Sequence, residues 1–345
     1  MVVRKHYPDS AARYRPILYQ GGITLLEIMI SLVLGLFIIA AVLTLLVNGR
    51  SGFQTSENQA HMLENARYAL YSIGRDLRHA GSYGRLSWPS LIFGQNTMGT
   101  AIGDCNAGFY IDVSRKIYGA NESNPFSGTC IPNADYLSGT DILVARYARP
   151  TAVSDADTLL STNRVYIQAN ESRGDIFLGG TAVPTTSPNN NFQMVTNIYY
   201  ISPNTQPGDG IPSLHRISLQ AGSTAAEMED ELMVSGVESF QVQYGLNECD
   251  LPPCSEAITR YVDASNTVFG GALWPITDKV QQIESVRVWL LIRSATAEPG
   301  LDTTGTFNMG SKTVIISTND SIRRLLFSSV FQVRNRGQQG SVTGS

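Results

Sequence analysis

The chain has 345 residues, of which 43% are hydrophobic and only 16% are charged, and its formal net charge at pH 7 is −4. A chain of this length can hold one large domain or two small ones. The first 22 residues carry a local balance of +3, so the residues after them carry −7. An acidic chain lacks the positive field that nucleic-acid backbones require, and we therefore expect no direct nucleic-acid binding.

An apolar run at residues 28–47 dominates the N-terminal region. It contains no charge, and as a helix it would span about 30 Å, which matches the hydrocarbon core of a bilayer. The basic residues that precede it predict a cytoplasmic N-terminus, so that the chain after Arg50 lies across the membrane. A secretory signal peptide is the main alternative. Its apolar core is shorter, about 7–15 residues, and Arg50 makes the sequence after the run a poor cleavage site.

The helix is predicted to continue past the apolar run, over residues 24–80, and to be on the order of 85 Å long. Apolar residues recur in its second half at three- and four-residue spacing, the period of one helical face. Gly81 and Gly84 follow as stop signals. We expect this amphipathic half to pack against a sheet. The predicted apolar face comprises Phe53, Ala60, Leu63, Ala66, Leu70, Ile73, Leu77 and Ala80.

After Gly84 the pattern changes to short β-type runs broken by Gly, Pro, Asn and Ser. The clearest alternation places Phe240, Val242 and Tyr244 on one face, which is typical of half-buried antiparallel sheet. The predicted fold class is α+β, with a long N-terminal helix packed on an antiparallel, β-sheet-rich globular domain. Strands are predicted at 141–147, 164–168, 175–178, 192–201, 213–219, 232–244, 283–293 and 322–334, and long irregular stretches at 94–132, 179–191, 203–212, 247–275 and 295–311.

The four cysteines, Cys105, Cys130, Cys249 and Cys254, are even in number, which suits an oxidising compartment. They permit three disulfide connectivities, and proximity along the chain favours 105–130 and 249–254. None of the four histidines lies at ligand spacing beside a cysteine, so we expect no metal site. We also expect no cofactor, since no phosphate-cradling loop is present.

The sequence Gly-Gly-Ile-Thr-Leu-Leu-Glu at residues 21–27, running directly into the apolar run, resembles the type IV prepilin processing motif. The resemblance implies that a prepilin peptidase cuts after Gly22 and methylates Ile23 as the new amino terminus. It also implies that Glu27 pairs with the terminal amine of a neighbouring subunit. An ionisable residue at the edge of a membrane segment is by default a functional hypothesis. Ile23 departs from the usual phenylalanine of the family.

Three further segments, at 64–81, 232–245 and 323–336, resemble the PilW family of minor pilins. The resemblance covers residues 21–84 and 230–336 and implies a pilin-like fold. It also implies a low-abundance subunit that primes type IV pilus assembly and lies at or near the fibre tip, supporting twitching motility and adhesion. The implied partners are other minor pilins, the major pilin, a tip adhesin, the inner-membrane assembly platform and prepilin peptidase. The implied location is the inner membrane, single-pass with the C-terminal domain in the periplasm, and then the surface fibre.

The corresponding domain organisation has four parts. These are a leader peptide (1–22), the N-terminal helix (23–84, with 23–49 in the membrane or fibre core and 50–84 amphipathic), a β-rich globular domain (85–336) and a flexible tail (337–345).

Three alternatives remain at this stage. A minor pseudopilin of a type II secretion system shares the processing motif and the helix, although such chains tend to be shorter. A membrane-anchored periplasmic hydrolase would need a catalytic constellation, but the sequence has no Gly-x-Ser-x-Gly or His-Glu-x-x-His, and His215 is the only histidine after Gly84. We therefore predict that the protein is not an enzyme. In the third alternative, loop aromatics form an adhesive or ligand-binding surface; these are Trp88, Trp274, Tyr110, Tyr118 and Tyr136.

Overall fold

The computed structural model describes residues 22–95, 98–185, 190–247, 258, 260–264, 283–298 and 300–335. The chain divides into two compact units, Met1–Phe53 and Gln54–Ser345. The first helix, α1, runs from Leu25 to His79, within one residue of the predicted 24–80 at each end. A short second helix, α2, spans Asp155–Leu160.

The strands of the second unit form three sheets. The strands are β1 (Ile92–Phe93), β2 (Ile117–Ala120), β3 (Ile142–Val153), β4 (Val165–Ala169), β5 (Gly174–Leu178), β6 (Asn190–Ser202), β7 (Ser213–Ala221), β8 (Ala226–Ser235), β9 (Val237–Leu246), β10 (Arg260–Val262), β11 (Ile283–Arg293), β12 (Gly305–Met309), β13 (Lys312–Ile316) and β14 (Arg324–Gln332). The eight-stranded sheet has the order β1-β5-β4-β6-β3-β2, with β7 beside β6 and β8 beside β7. The four-stranded sheet has the order β10-β9-β11-β14, and β12 and β13 form a hairpin. Among the strands that the structure describes, all pairs apart from β1 with β5 are antiparallel, and the predicted α+β class is confirmed.

The predicted single strand at 232–244 is wrong, because Gly236 divides it into two strands that belong to different sheets. Gly236 has a φ of 81°, a left-handed conformation that glycine adopts without steric cost. β8 before it pairs with β7 in the eight-stranded sheet, and β9 after it pairs with β11 in the four-stranded sheet. One glycine thus carries the chain from one sheet to the other.

The predicted irregular stretch at 295–311 is also partly wrong, since the β12–β13 hairpin begins within it. The hairpin buries Met309 against Trp289 and Leu291 of β11, with Phe307 and Val314 packed around them. Because this hairpin covers the second face of β11, both of its alternating sets of side chains are buried instead of only one. Phe240, Val242 and Tyr244 lie in the main core, as the alternation predicted.

The second half of α1 is amphipathic, but its buried face differs from the predicted one. Ala66, Ile73, Leu77 and Ala80 are buried as predicted. Leu63 is 42% exposed, however, and the face also includes Met62, Ala69, Ser72 and Asp76. Spacing alone could not separate Met62 from Leu63, because adjacent helical positions differ by only about 100°.

The end of α1 is held by the C-terminal segment of the chain. Gly81 has a φ of 79° and donates its amide to the carbonyl of Arg146 in β3. The side-chain amide of Asn335 donates to the carbonyls of His79 and Ala80, at 3.2 and 3.3 Å. These carbonyls have no partner within the helix, so Asn335 satisfies acceptors that every helix end leaves open.

Within residues 98–136, which also contain β2, the stretch 109–115 covers the face of the eight-stranded sheet opposite α1. Arg146 and Tyr147 are adjacent in β3 and therefore point to opposite faces. Tyr147 contacts α1, whereas the buried Arg146 guanidinium donates to the carbonyls of Phe109 and Arg115, at 2.9 and 2.7 Å. Thr196 of β6 donates to the Tyr110 carbonyl on the same side, at 2.6 Å.

The Cys105–Cys130 disulfide closes this covering segment and confirms the predicted pairing. Cys249 and Cys254 lie outside the described residues. The bridge closes a loop with a sequence separation of 25, for which the chain-entropy estimate of stabilisation is about 3 kcal/mol.

We expect the double variant Cys105→Ala/Cys130→Ala to lose about this much free energy of unfolding. Urea titration of the two proteins followed by circular dichroism measures the loss, and an unchanged midpoint would contradict it.

Candidate functional site along the N-terminal helix

The predicted processing residues lie at the start of α1. Gly22, Ile23 and Thr24 precede the helix, and Ile23 is 72% exposed. Thr24 is the N-cap residue: its hydroxyl oxygen accepts the Glu27 amide at 3.2 Å, and its carbonyl accepts the Ile28 amide at 3.2 Å. Glu27 is therefore the third helical residue, the position at which Glu completes a capping box with Thr. Sequence reasoning assigned Glu27 a pairing role and missed that Thr24 and Glu27 also define where the helix begins.

The apolar part of α1 fits a membrane segment. Within the described residues, α1 is the one helix that is long and apolar enough to cross a membrane. Its large apolar side chains from Leu25 to Val47 are all more than half exposed within the chain, including Phe37 at 70%. Exposing so continuous an apolar surface to water is unfavourable, so this segment requires lipid or other apolar helices around it.

A buried carboxylate in the second half of α1 is the most unusual polar feature of the fold. Asp76 is fully buried and accepts hydrogen bonds from three side chains of the eight-stranded sheet. The donors are the Tyr147 hydroxyl at 2.9 Å, the Asn197 amide at 2.5 Å and the Tyr199 hydroxyl at 2.6 Å. Arg75, which is half-exposed, supplies a countercharge at 3.3 Å. We call Asp76, Tyr147, Asn197 and Tyr199 the helix–sheet polar cluster.

The apolar face predicted from the sequence did not include Asp76, so sequence reasoning missed the cluster. The available signal was its spacing, because Asp76 lies three residues after Ile73 and four before Ala80, on the buried face. Its partners come from β3 and β6, and no local pattern marks them.

The two tyrosines of the cluster are held as protonated donors. Burial, together with the Asp76 carboxylate, raises the pKa of Tyr147 and raises that of Tyr199 well above its usual range. Arg216 of β7 extends the polar contacts toward the surface, donating to Ser72 at 3.4 Å and to Glu231 at 2.7 Å. Such an arrangement fixes the rotation and axial position of α1 on the sheet but brings no nucleophile to the carboxylate.

The other candidate residues that the structure describes include a histidine on β7 and three buried tyrosines. His215 lies on β7 with its Nδ1 atom 2.9 Å from a carboxylate oxygen of Asp230, beside the ring of Tyr200. Tyr110, Tyr118 and Tyr136 are buried, so they are packing residues and not an exposed aromatic surface. Across the residues that the structure describes, no group of three or more His, Cys, Asp or Glu side chains could hold a metal ion. Trp274 lies outside those residues.

Asp141 links the two large sheets through a second buried carboxylate. It accepts the backbone amides of Glu122 at 2.9 Å and of Val242, in β9, at 2.7 Å. Burial nevertheless dominates and raises the pKa of Asp141 from 3.8 to about 7. The Asp141 side chain therefore joins β9 to the eight-stranded sheet, and the stability of this connection depends on pH.

Stability should accordingly fall as Asp141 ionises. The unfolded chain releases this proton near its ordinary pKa of 3.8, whereas the folded chain keeps it until about pH 7. The Asp141 contribution is therefore fully present below about pH 4 and is lost between pH 4 and 7, by at most about 1.4 kcal/mol per pH unit. We expect the stability difference between the natural protein and Asp141→Asn to shrink from pH 5 to 8 in urea titrations. A difference that does not change with pH would contradict this assignment.

The structure defines a class of protein with a long N-terminal helix and an antiparallel, sheet-rich globular part. The model of the PilW family, described as type IV pilus-assembly protein W, matches residues 198–335, from within β6 to just beyond β14. The predicted resemblance to PilW proteins is confirmed over this part of the chain. Residues 21–84 lie outside the match, and the roles of Gly22, Ile23 and Glu27 stay predictions.

Among solved structures, the chain is similar to the type IV-like pilin TTHA1219 from Thermus thermophilus. The identity is 12%, the TM-score is 0.34, and the similarity covers 79% of this chain and 97% of that chain. The comparison with curated proteins gives no match.

Proposed function

We propose that this chain is a minor pilin that primes type IV pilus assembly and lies at or near the fibre tip, supporting twitching motility and adhesion. The PilW match at residues 198–335, on a chain that begins with an exposed apolar helix, carries the proposal. The role is structural and not enzymatic.

The apolar half of α1 requires an apolar environment, and this requirement supports the proposal. Its apolar half can leave a bilayer only if an equivalent apolar environment replaces the lipid. A bundle of similar helices provides that environment, and small residues such as Gly35, Ala40 and Ala41 permit close approach. Within such a bundle Glu27 needs a positive partner, because an unpaired buried charge is far costlier than a paired one.

The proposed route begins in the inner membrane, with the N-terminus in the cytoplasm and the β-rich part in the periplasm. Prepilin peptidase cuts after Gly22 and methylates Ile23, and Glu27 then pairs with the terminal amine of an adjacent subunit. Other minor pilins, the major pilin, a tip adhesin and the inner-membrane assembly platform are the proposed partners. The mature subunit finally lies in the fibre on the cell surface.

A deletion strain complemented with the natural chain tests the proposal. We expect fewer surface filaments and loss of twitching without the gene, and recovery of the protein in sheared filaments from the complemented strain. Mass spectrometry of the recovered protein should find a methylated Ile23 at its amino terminus. Gly22→Val should abolish processing, whereas Gly21→Val, one residue before the cleavage position, should not.

Two outcomes would overturn the proposal. One is normal filaments and normal motility in the deletion strain. The other is a defect confined to secretion of proteins across the outer membrane, which would assign the chain to a type II secretion pseudopilus.

A further inference from the structure

β14 forms one edge of the four-stranded sheet. β14 pairs with β11 along its whole length, from Arg324 to Gln332. Among the described residues, no strand pairs with its other edge. A nine-residue edge exposes a row of backbone donors and acceptors that can pair with another chain.

Other edges of the large sheets are short or charged, as edge strands in natural proteins usually are. β1, β2 and β10 have two, four and three residues. β8 is longer, but its exposed stretch carries Glu229, Asp230 and Glu231, and a bridge from Ile102 covers its start. These features oppose the addition of a further strand at those edges.

β14 lacks such protection. From Leu325 to Gln332 its sequence is Leu-Leu-Phe-Ser-Ser-Val-Phe-Gln, without a charge or a proline. Val330 is 50% exposed, and Ser328 and Gln332 are exposed as well. The charges at its start are already engaged, because Arg324 pairs with Glu238 and Asp320, at 2.6 and 2.7 Å.

β14 also runs beside the second half of α1, in the same direction. Just before the strand, Arg323 pairs with Glu298 at 2.7 Å, and Glu298 accepts a hydrogen bond from Asn58 of the helix at 3.0 Å. Near the end of β14, Phe331 packs against Gly74 so closely that a Cβ at Gly74 would overlap its ring. The helical span from residue 58 to 74 and the strand from 323 to 331 have similar lengths, about 25 Å each.

The helix face that continues from Gly74 toward its N-terminus therefore lies along β14. At spacings of four, three and four residues, this face contains Leu70, Arg67 and Leu63. Leu70 is half-buried, Leu63 is 42% exposed and Arg67 is exposed. A strand added to the edge of β14 would meet apolar side chains and a positive charge on this face.

The charges around this edge define the chemistry of the added strand. Arg67 lies along its helical side and Arg334 just beyond its C-terminal end, and both are exposed. Within the described parts of the chain, neither has a carboxylate within ion-pair distance. Arg78 lies nearby, with its guanidinium 5.9 Å from the centre of the Phe331 ring. The exposed Glu64 lies one turn before Arg67 on the same helix, but the three arginines outnumber it, so the edge is locally basic in a chain whose net charge is −4.

We propose that β14 accepts an extended segment of a partner protein by strand addition, and that the side chains of this segment that face α1, at every second position, include both apolar and acidic residues. Backbone hydrogen bonds to the free edge supply affinity, and side chains at alternate positions supply specificity. Its apolar side chains cover Leu63 and Phe327, and its carboxylates face Arg67 and Arg334.

A synthetic peptide tests the proposal with the full chain in detergent micelles. The probe has the sequence Thr-Leu-Thr-Glu-Thr-Leu-Thr-Glu-Thr-Leu, in which every second side chain is leucine or glutamate in turn, and carries fluorescein at its amino terminus. We expect saturable binding by fluorescence anisotropy, and at least tenfold weaker binding of a peptide with lysine at every acidic position. Equal binding of both peptides, or of neither, would overturn the proposal.

Two variants with matched controls locate the site. Val330→Asp places a charge on the edge, and Arg67→Glu reverses the charge on the helix, so each should weaken binding of the acidic peptide at least tenfold. Ile315→Asp, at a 68% exposed position of β13, and Arg149→Glu, at an exposed position of β3, should change it less than twofold. Urea midpoints show whether each variant is folded. If Val330→Asp is not folded, the binding of the peptide to Arg67→Glu tests the proposed site instead.

Amide hydrogen exchange distinguishes strand addition from binding elsewhere. The amides of residues 324–332 that point away from β11 should exchange quickly in the free protein and slow at least tenfold in the presence of the peptide. Protection of these amides before the peptide is added would show that a second copy, or another part of the same chain, already occupies the edge, and would overturn the proposal.

Discussion

Replacing Asp76 by alanine is expected to lower the free energy of unfolding by about 3 to 5 kcal/mol, the range measured when one member of a buried, charge-assisted group is removed. The carboxylate accepts hydrogen bonds from Tyr147, Asn197 and Tyr199, all of which are buried. Alanine would leave the buried Tyr147 hydroxyl and Asn197 amide without this acceptor, and would leave Tyr199 with only the Ser72 hydroxyl, at 3.4 Å. Each unsatisfied buried donor costs about 1 to 3 kcal/mol.

Asp76→Asn separates the charge from the shape of the side chain. The asparagine side chain at position 76 retains one acceptor oxygen. Its NH2 group, however, takes the place of the carboxylate oxygen that accepts from Asn197 and Tyr199, so a donor there meets two donors. A tyrosine hydroxyl can rotate to accept, so we expect a smaller loss than for alanine. Glu64→Ala, at an exposed position of the same helix, is the control and should change stability by less than about 0.5 kcal/mol.

Urea titration of the full chain in detergent micelles, followed by near-ultraviolet circular dichroism, measures these losses. The cluster contains two of the 15 tyrosines of the chain, so a change in its packing contributes to the same signal. A loss for Asp76→Ala no greater than that for Glu64→Ala would show that the cluster does not hold α1 on the sheet.

The sequence was most informative where a feature is local or periodic. The apolar run, the three- and four-residue spacing after it and the stop at Gly81 predicted α1 to within one residue at each end. The Cys105–Cys130 bridge followed from proximity, because both cysteines lie in one loop-rich segment between helix and sheet. Most of the longer strands were found from alternation, since one of their faces is buried in the main core.

Errors arose where distant contacts decide the structure. Nothing local shows that Gly236 separates two sheets, because a glycine within a strand pattern can equally mark a bulge in one strand. The β12–β13 hairpin could not be inferred from the pattern of β11, since its packing on Trp289 and Leu291 exists only in the folded chain. Asp76 resembles a solvated helical acid in sequence, and its burial depends on Tyr147, Asn197 and Tyr199, which lie 71 to 123 residues away.

Replacing Glu27 should have the largest effect on function. If Glu27 pairs with the terminal amine of a neighbouring subunit, Glu27→Ala should leave membrane insertion intact, because the apolar segment that follows it is unchanged. The variant should be at least tenfold depleted in sheared filaments relative to the membrane fraction, as measured by quantitative immunoblotting. The physical reason is that the amine of the neighbour would be left as a buried charge without a partner.

The position of Glu27 within the helix makes a second variant necessary. Glu27 is the third residue of α1 and its backbone amide donates to the Thr24 hydroxyl, which is the position from which a glutamate side chain completes a capping box, so alanine would remove that capping group as well as the charge. Glutamine serves equally well at this position of a capping box but carries no charge. Glu27→Gln should therefore fail in incorporation as Glu27→Ala does, whereas Thr24→Ala, which weakens the cap and keeps the carboxylate, should be incorporated nearly normally. Normal incorporation of Glu27→Gln would instead assign Glu27 to the start of the helix and remove it from the contact between subunits.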